Sequence, residues 1–358
     1  MARKCTAIIN LNAIKKNYLY AKSLSPQSKV IAVVKANAYG HGAIAVARHL
    51  EDDADLYGVA STEEAIALRE SGIGKTPILL MEGIFEESEL KLIEKYNLTT
   101  TICNQPQLDW LLSYDFKNSV DIFVKYDSGM GRLGFQDEEF ISAVNLLEKS
   151  KKINNMTMMT HFSNADNLES TSTSKQIKKF ENIVNTKTHT SSLANSAATM
   201  KWGQSHMDYI RPGIMLYGSS PFPDKSNLDK LTPAMSLSSS LISIKSFKAG
   251  HSIGYGDRYV CEQDMDIGVV AIGYGDGYPR SAEDGTPVFI NGVKTSIAGK
   301  VSMDMITIDL TNVPEPKIGD RVELFGDNIS VDEVAEHCKT ISYEIFTQIT
   351  QRVYKTYV

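Results

Sequence analysis

Over its first two-thirds the chain alternates short apolar runs with amphipathic segments, and this alternation restricts the fold more than any other feature. The apolar runs are VIAVVKA (30–36), LYGVAS (56–61), PILLME (77–82), TTTICN (99–104), VDIFVKYD (120–127), MTMMTHFS (156–163), THTSSLAN (188–195) and DYIRPGIMLYG (208–218). Between them lie helix-like segments. In TEEAIALRES, Ala65, Ile66, Leu68 and Arg69 recur at helical spacing behind a Thr62 cap; in ESELKLIEKY, Leu90, Ile93 and the Tyr96 ring share a face. Strands separated by helices at spacings of about 20–35 residues build βαβ units and a parallel sheet. Eight strands are what a closed (β/α)8 barrel requires. THTSSLAN is a weak strand on composition, so an open doubly wound sheet stays as the alternative.

The character changes near 232–240, at TPAMSLSSS. Short strands with turns follow: SLISIKSF, DIGVVAIGYG, PVFINGVKTSIAG, MITIDL and DRVELFG. Asn291-Gly292 between two apolar runs is a strong hairpin signal. Only SVDEVAEHC reads clearly as a helix, with Ser330 as its cap and Glu333 three residues on. The reading is therefore an α/β chain: an N-terminal (β/α)8 barrel over residues 1–235 and a mainly-β domain over 236–358.

The 358 residues are enough for two domains. With 42% hydrophobic and 22% charged residues, the chain is not a disordered or fibrous one. A net charge of −6 offers no basic field for nucleic acid or anionic membrane. Cysteines at 5, 103, 261 and 338 form no CxxC pair, so no zinc cluster, other metal site or disulfide framework is expected. Reduced thiols in a cytoplasmic protein are the simple reading. The opening MARKCTAIINLNAIKK lacks the sustained apolar core of a signal peptide, and no run is long enough to span a membrane.

Lys35 closes the first apolar run. Alternate side chains of a strand share a face, so Ile31, Val33 and Lys35 point one way and Val30, Ala32 and Val34 the other. Both sets are apolar apart from the lysine, so the strand is expected to be buried on both sides. An ammonium placed there loses hydration, which favours its neutral form. A neutral amine is a nucleophile that forms a Schiff base with an aldehyde. The loop NAYGHG follows, at the strand end where the catalytic groups of such barrels collect. On position alone, a lysine that snorkels outward fits as well.

VVKANAYGHG resembles the cofactor-lysine segment of alanine racemases, which carry pyridoxal phosphate (PLP) on a fold-type III barrel. Further stretches resemble that family in the same order: KYDSGMGRLG (125–134), THFSNAD (160–166), LANSAA (193–198) and RPGIMLYG (211–218). The second domain adds GYGDRY (254–259), GYGDGYPR (273–280), GKVSMDM (299–305) and ISYEIFTQITQRV (341–353). The likeness covers nearly the whole chain.

The resemblance implies an isomerase that interconverts L- and D-alanine through a PLP external aldimine, with two acid/base groups on opposite faces of Cα. Lys35 is one of them and Tyr255 the other. A free tyrosine has a pKa near about 10, so Tyr255 needs help to act as a base. The family pattern puts His161 against Tyr255, and Arg211 against both His161 and the cofactor's pyridine nitrogen. An arginine there does not readily give up a proton, which weakens the electron sink and limits transamination. By the same resemblance, Tyr39, Ser196 and Tyr343 are phosphate donors, with Asn195 beside Ser196 and the amides of Gly213 and Ile214 completing the cup. Arg132 contacts the substrate carboxylate and the cofactor's phenolic oxygen, supported by Lys125, which in many relatives is carbamylated; read without the family, Lys125 is a strand-end partner of Asp127. Met303 offers its amide to the substrate carboxylate, Asp304 supports the site and Tyr274 narrows it. Tyr343 favours alanine over serine.

The family also implies a homodimer in which Tyr255, Tyr274 and Met303 serve the partner's site, with D-alanine destined for peptidoglycan. Departures are few: GYGDG for the commoner GYADG, Ser302 where relatives often have cysteine, and an ending, RVYKTYV, without the usual proline and arginine after RV. Two other readings stand beside this one, a PLP barrel decarboxylase and a non-catalytic PLP-homeostasis protein. The first lacks the Tyr255 motif, and the second lacks the domain that bears it.

Overall fold

The computed structural model describes residues 3–184, 189–222 and 230–358. The chain divides into two compact units, one of Lys15–Leu216 with Ser220–Lys230, the other of Met1–Ile14, Tyr217–Ser219 and Leu231–Val358. The expected division at 235/236 gave the whole N-terminus to the barrel. In the structure the first strand, β1 (Thr6–Ile9), groups with the β-rich unit instead.

The barrel strands are β2 (Lys29–Val33), β3 (Leu56–Val59), β4 (Ile78–Leu80), β5 (Thr99–Ile102), β6 (Val120–Lys125), β7 (Ile153–Met159), β8 (Thr190–Ser192) and β9 (Tyr209–Ile210). Each is parallel to the next, and β9 pairs back onto β2 through Lys29↔Tyr209 and Val30↔Ile210. That last pairing closes the barrel and excludes the open sheet. All eight expected runs carry a strand, including the weak THTSSLAN, whose position 188 lies outside the described residues. β3, β4 and β5 are buried at every residue, as parallel strands covered on both faces must be. Ile31, Leu56, Leu79, Phe123 and Met159 form one buried cluster, with Met81 and Tyr209 packed on it. The helix over Thr62–Glu70 has its N-cap position one residue earlier than expected, at Ser61, whose side chain makes no capping hydrogen bond, and the Thr62 hydroxyl donates to Glu89.

The β-rich unit is organised on β10 (Met235–Phe247), a 13-residue strand. The others are β11 (Ser252–Ile253), β12 (Tyr259–Val260), β13 (Met265–Val270), β14 (Pro287–Ile290), β15 (Val293–Ser296), β16 (Ile306–Asp309), β17 (Arg321–Phe325) and β18 (Tyr354–Tyr357). The main sheet runs β15-β14-β17-β10-β1-β18, and β13 joins β10 to β16. β1 lies between antiparallel β10 and parallel β18. Asn291-Gly292 makes the expected two-residue turn, with Ile290 paired to Val293. Ser330 caps the helix Val331–His337 by accepting from the Asp332 amide at 3.1 Å.

Candidate active site

β2 stops at Val33, two residues before Lys35. Ala36, Asn37, Ala38 and Tyr39 then all adopt left-handed backbone, with φ of 51°, 53°, 54° and 50°. Each such L-residue costs roughly 1–2 kcal/mol, so a run of four exists only where its surroundings over-determine it. The Ala36 amide donates to Glu64 Oε1 at 2.6 Å, and Asn37 Oδ1 accepts from the Ala43 amide at 2.9 Å. The Gly40 amide closes the turn on the Ala36 carbonyl at 2.9 Å. The expectation that Lys35 continues the strand and is buried on both sides is corrected. The chain has already left the sheet, and the Lys35 side chain is 32% exposed with Nζ 3.2 Å from Glu82 Oε1.

Arg211 follows β9 and is fully enclosed. Its Nη1 donates to Ser192 Oγ at 2.7 Å, and its Nη2 to the carbonyls of Thr160 at 2.7 Å and Leu193 at 3.1 Å. Burial pushes its pKa down to about 10, so it stays a cation near neutral pH. Nη2 also lies 3.4 Å from His161 Nδ1. A guanidinium only donates, so Nδ1 accepts and the ring's hydrogen sits on Nε2. Burial, then the charges of Arg211, Lys125, Arg132 and Lys35, hold the imidazole well below its ordinary range and therefore neutral.

Ser196 Oγ accepts the Gly213 amide at 2.8 Å and the Met215 amide at 3.4 Å, leaving its own hydrogen to donate outward. The Gly213 amide, expected to face a phosphate, is thus turned onto Ser196. Ile214 beside it is fully buried. Gly213 has no room for a side chain, since a Cβ there would lie 2.7 Å from Tyr39 Oη. Burial raises the Tyr39 phenol to about 12, which keeps it a donor. Asn195 Oδ1 accepts the Ala198 amide at 3.0 Å and caps the helix Ser196–Lys201.

These residues fit pyridoxal phosphate on two observations. Arg211 Nε is buried without an acceptor, where a pyridine nitrogen would supply one. Tyr39 packs against the bare backbone of Gly213, whose amide holds Ser196, so two neutral hydroxyl donors sit together at one spot.

Lys125 ends β6 and is buried. Burial lowers its pKa, with Arg211 and Arg132 adding to the effect. Asp127 is not spent on Lys125. One of its oxygens accepts the amides of Gly129, Met130 and Gly131 at 2.9–3.1 Å, which folds the loop that presents the exposed Arg132.

The remaining expected residues belong to the β-rich unit. Tyr255, on a one-turn segment after β11, is 70% exposed. Tyr274 and Met303 are also exposed. Their loops are joined, since the Tyr274 amide donates to the Ser302 carbonyl at 3.0 Å and the Gly275 amide to the Met303 carbonyl at 2.8 Å. Asp304 is exposed and accepts from Arg352 Nη2 at 2.5 Å. Tyr343 is half-buried on the helix Ser342–Gln348.

Several residues at the barrel mouth were missed from the sequence. Glu82 faces Lys35, Glu64 holds its turn, and Ser192 holds Arg211. Gln176, buried on the helix Ser172–Val184, donates to the His161 carbonyl at 3.1 Å and to Ser128 Oγ at 3.2 Å. A buried polar residue on an inward helix face was the available signal for Gln176. Glu82 and Glu64 look like ordinary surface acids in the sequence.

Comparison with known proteins gives two consecutive matches. Residues 9–221 match the family model "Alanine racemase, N-terminal domain" and residues 234–357 match "Alanine racemase, C-terminal domain". The chain is 44% identical to an alanine racemase of Chromohalobacter salexigens, over 100% of this chain and 98% of that protein. It is also 44% identical to one of Vibrio atlanticus, over 99% of each. Among solved structures it superposes on the biosynthetic alanine racemase from Pseudomonas aeruginosa with a TM-score of 0.97, at 42% identity and 99% coverage of both chains. The alanine racemase from Bartonella henselae, solved with covalently bound pyridoxal phosphate, gives a TM-score of 0.91 at 27% identity and 99% coverage of both.

Proposed function

The chain belongs to the alanine racemase family, PLP-dependent isomerases that interconvert L- and D-alanine, and from that premise we propose how its residues divide the work. The observation that carries the assignment is the cationic, neutral-donor mouth of the barrel around Lys35, Arg211 and Ser196, in a chain matched end to end.

Pyridoxal phosphate, when bound, supplies the electron sink that makes the substrate's Cα–H acidic. Lys35 would hold the cofactor through Nζ, and its free amine would move a proton at one face of the substrate's Cα. Tyr255 moves the proton at the other face. For one enantiomer Lys35 removes and Tyr255 returns; for the other the roles exchange. With Nδ1 taken by Arg211, His161 donates through Nε2 to the Tyr255 oxygen and lowers the cost of its anionic form. Arg211 Nε would orient the cofactor ring, while Tyr39, Ser196 and Tyr343 would bind its phosphate. Asn195 serves by fixing the segment that carries Ser196.

Arg132 and the Met303 amide bind the substrate carboxylate, Tyr274 limits the side chain to a methyl group, and Asp304 supports that edge. The depressed pKa of Lys125 favours the neutral amine, which adds carbon dioxide with loss of a proton to give an anionic carbamate able to hold Arg132. A mass gain of one carbon dioxide on Lys125 is the sign of it.

We propose further that the enzyme is a homodimer whose sites are completed in trans. Tyr255 and Met303 are 70% and 54% exposed, an uneconomical placement for a catalytic tyrosine and a methionine unless a second copy covers them. Mixing inactive Lys35→Ala and Tyr255→Phe enzymes under subunit exchange should restore part of the activity; no recovery argues against shared sites. A cytoplasmic role in supplying D-alanine for peptidoglycan goes with this reading, and the four cysteines are free thiols. Among the described residues no helix is long and apolar enough to cross a membrane.

The direct test is to incubate the purified protein with L-alanine, with and without added PLP, and to follow D-alanine. Activity that depends on PLP and is lost in Lys35→Ala is expected. Carbon dioxide release would indicate a decarboxylase instead, and no turnover a PLP carrier.

A further inference from the structure

We propose that Arg3 and Arg352, from opposite ends of the chain, are positioning residues for Tyr274 and Met303, acting through the buried carboxylate of Asp276. The proposal rests on the reading above that Tyr274 and Met303 face the substrate.

Asp276 is fully buried in the β-rich unit. A carboxylate out of water persists only when donors surround it. Arg3 grips it with both terminal nitrogens, Nη1 to Oδ1 at 2.7 Å and Nη2 to Oδ2. Arg352 Nε stands 3.3 Å from Oδ1, and the Gly273 amide donates to Oδ2 at 3.0 Å. The aspartate closes the short turn Tyr274–Asp276, so holding its carboxylate holds Tyr274.

The same two arginines reach the other substrate-facing strip. Arg352 Nη2 donates to Asp304 Oδ1 at 2.5 Å, and Arg3 Nη2 lies 3.4 Å from the Asp304 carbonyl. The hydrogen bonds from the amides of Tyr274 and Gly275 to the carbonyls of Ser302 and Met303 then lock the two strips edge to edge. There is no slack at this seam, because a Cβ on Gly273 would run into the Ser302 carbonyl. One buried anion and two forked cations therefore set the spacing between a pocket-narrowing ring and a carboxylate-binding amide. A planar fork fixes direction as well as charge, which an ammonium does not.

The test uses the full-length, PLP-loaded enzyme carrying Arg352→Gln or Arg3→Gln, with Arg352→Lys and Arg3→Lys as milder variants that keep the charge and lose the fork. Steady-state constants for alanine and serine are measured beside the cofactor's absorbance and the melting temperature. KM for L-alanine should rise about tenfold, the scale of one charge-assisted hydrogen bond lost. The change in kcat should stay within about threefold, the split expected when binding rather than chemistry is loosened. The preference for alanine over serine should narrow, the absorbance should not move, and the lysine variants should recover part of the loss. A lower melting temperature with unchanged KM and unchanged alanine preference in the lysine and glutamine variants would make the clamp purely structural and overturn the proposal. Failure of the underlying reading shows separately, as a Tyr274→Ala enzyme with unaltered KM and selectivity.

Discussion

At the scale of single residues, the site is governed by where hydrogens are fixed. Arg211 can only donate, and it stays charged although burial pulls its pKa down to about 10. Its contact with Nδ1 therefore decides the tautomer of His161, and the surrounding cations keep that ring neutral. This has a sign that can be measured. The folded-state pKa of His161 lies below the unfolded value of about 6.5, so above that pH neither state gains a proton there. As pH falls below about 6.5 the unfolded chain binds a proton that the folded chain refuses, and stability drops by at most about 1.4 kcal/mol per pH unit from this group. Urea unfolding of the wild type and His161→Gln between pH 7 and pH 5, taken as about neutral and mildly acidic points, should show the steeper loss in the wild type. Equal slopes would mean that His161 is not held neutral.

At the scale of elements, the left-handed turn after β2 connects strain to function. Four consecutive L-residues in that conformation persist because Glu64, Asn37 and Gly40 hold them, and the turn aims both Lys35 and Tyr39. Ala36→Val should destabilise the protein by about 1–3 kcal/mol, since a β-branched residue resists positive φ more than alanine does. Ala36→Gly should relieve strain and raise the melting temperature slightly, but loosen Lys35 and lower kcat. A glycine variant with unchanged kcat would show that the turn's rigidity does not matter. The alternation of apolar runs made the eight barrel strands legible, yet β2 and β4 stop before the run does, at Val33 and Leu80. The run continues because residues such as Val34 stay buried after the ladder ends, so composition alone does not mark the strand's last residue. Lys35, Arg211 and Tyr255 stand out in the sequence because their motifs are long and ordered, and their roles are those proposed above. Glu82 and Glu64 were not, since their role depends on strand ends that meet only when the barrel closes. β1 was missed for a related reason, because Thr6 finds its partners at Ser238 and Tyr354.

At the scale of the whole molecule, the sheet of the β-rich unit is fastened by β1 and β18, which lie far apart in the sequence. Removing residues 353–358 should strip β1 of its parallel neighbour and expose a strand edge able to pair with other chains. The truncated protein should scatter light and lose solubility on mild heating while the full chain stays clear; equal solubility would show that β18 is dispensable. The same pairing has a consequence during synthesis on the ribosome. β1 is translated before both of its partners, so it waits for β10 and then for β18 before its backbone is satisfied on both sides. A polypeptide terminated before β18 leaves β1 unpaired on that side, an open edge that quality-control chaperones and proteases can recognise.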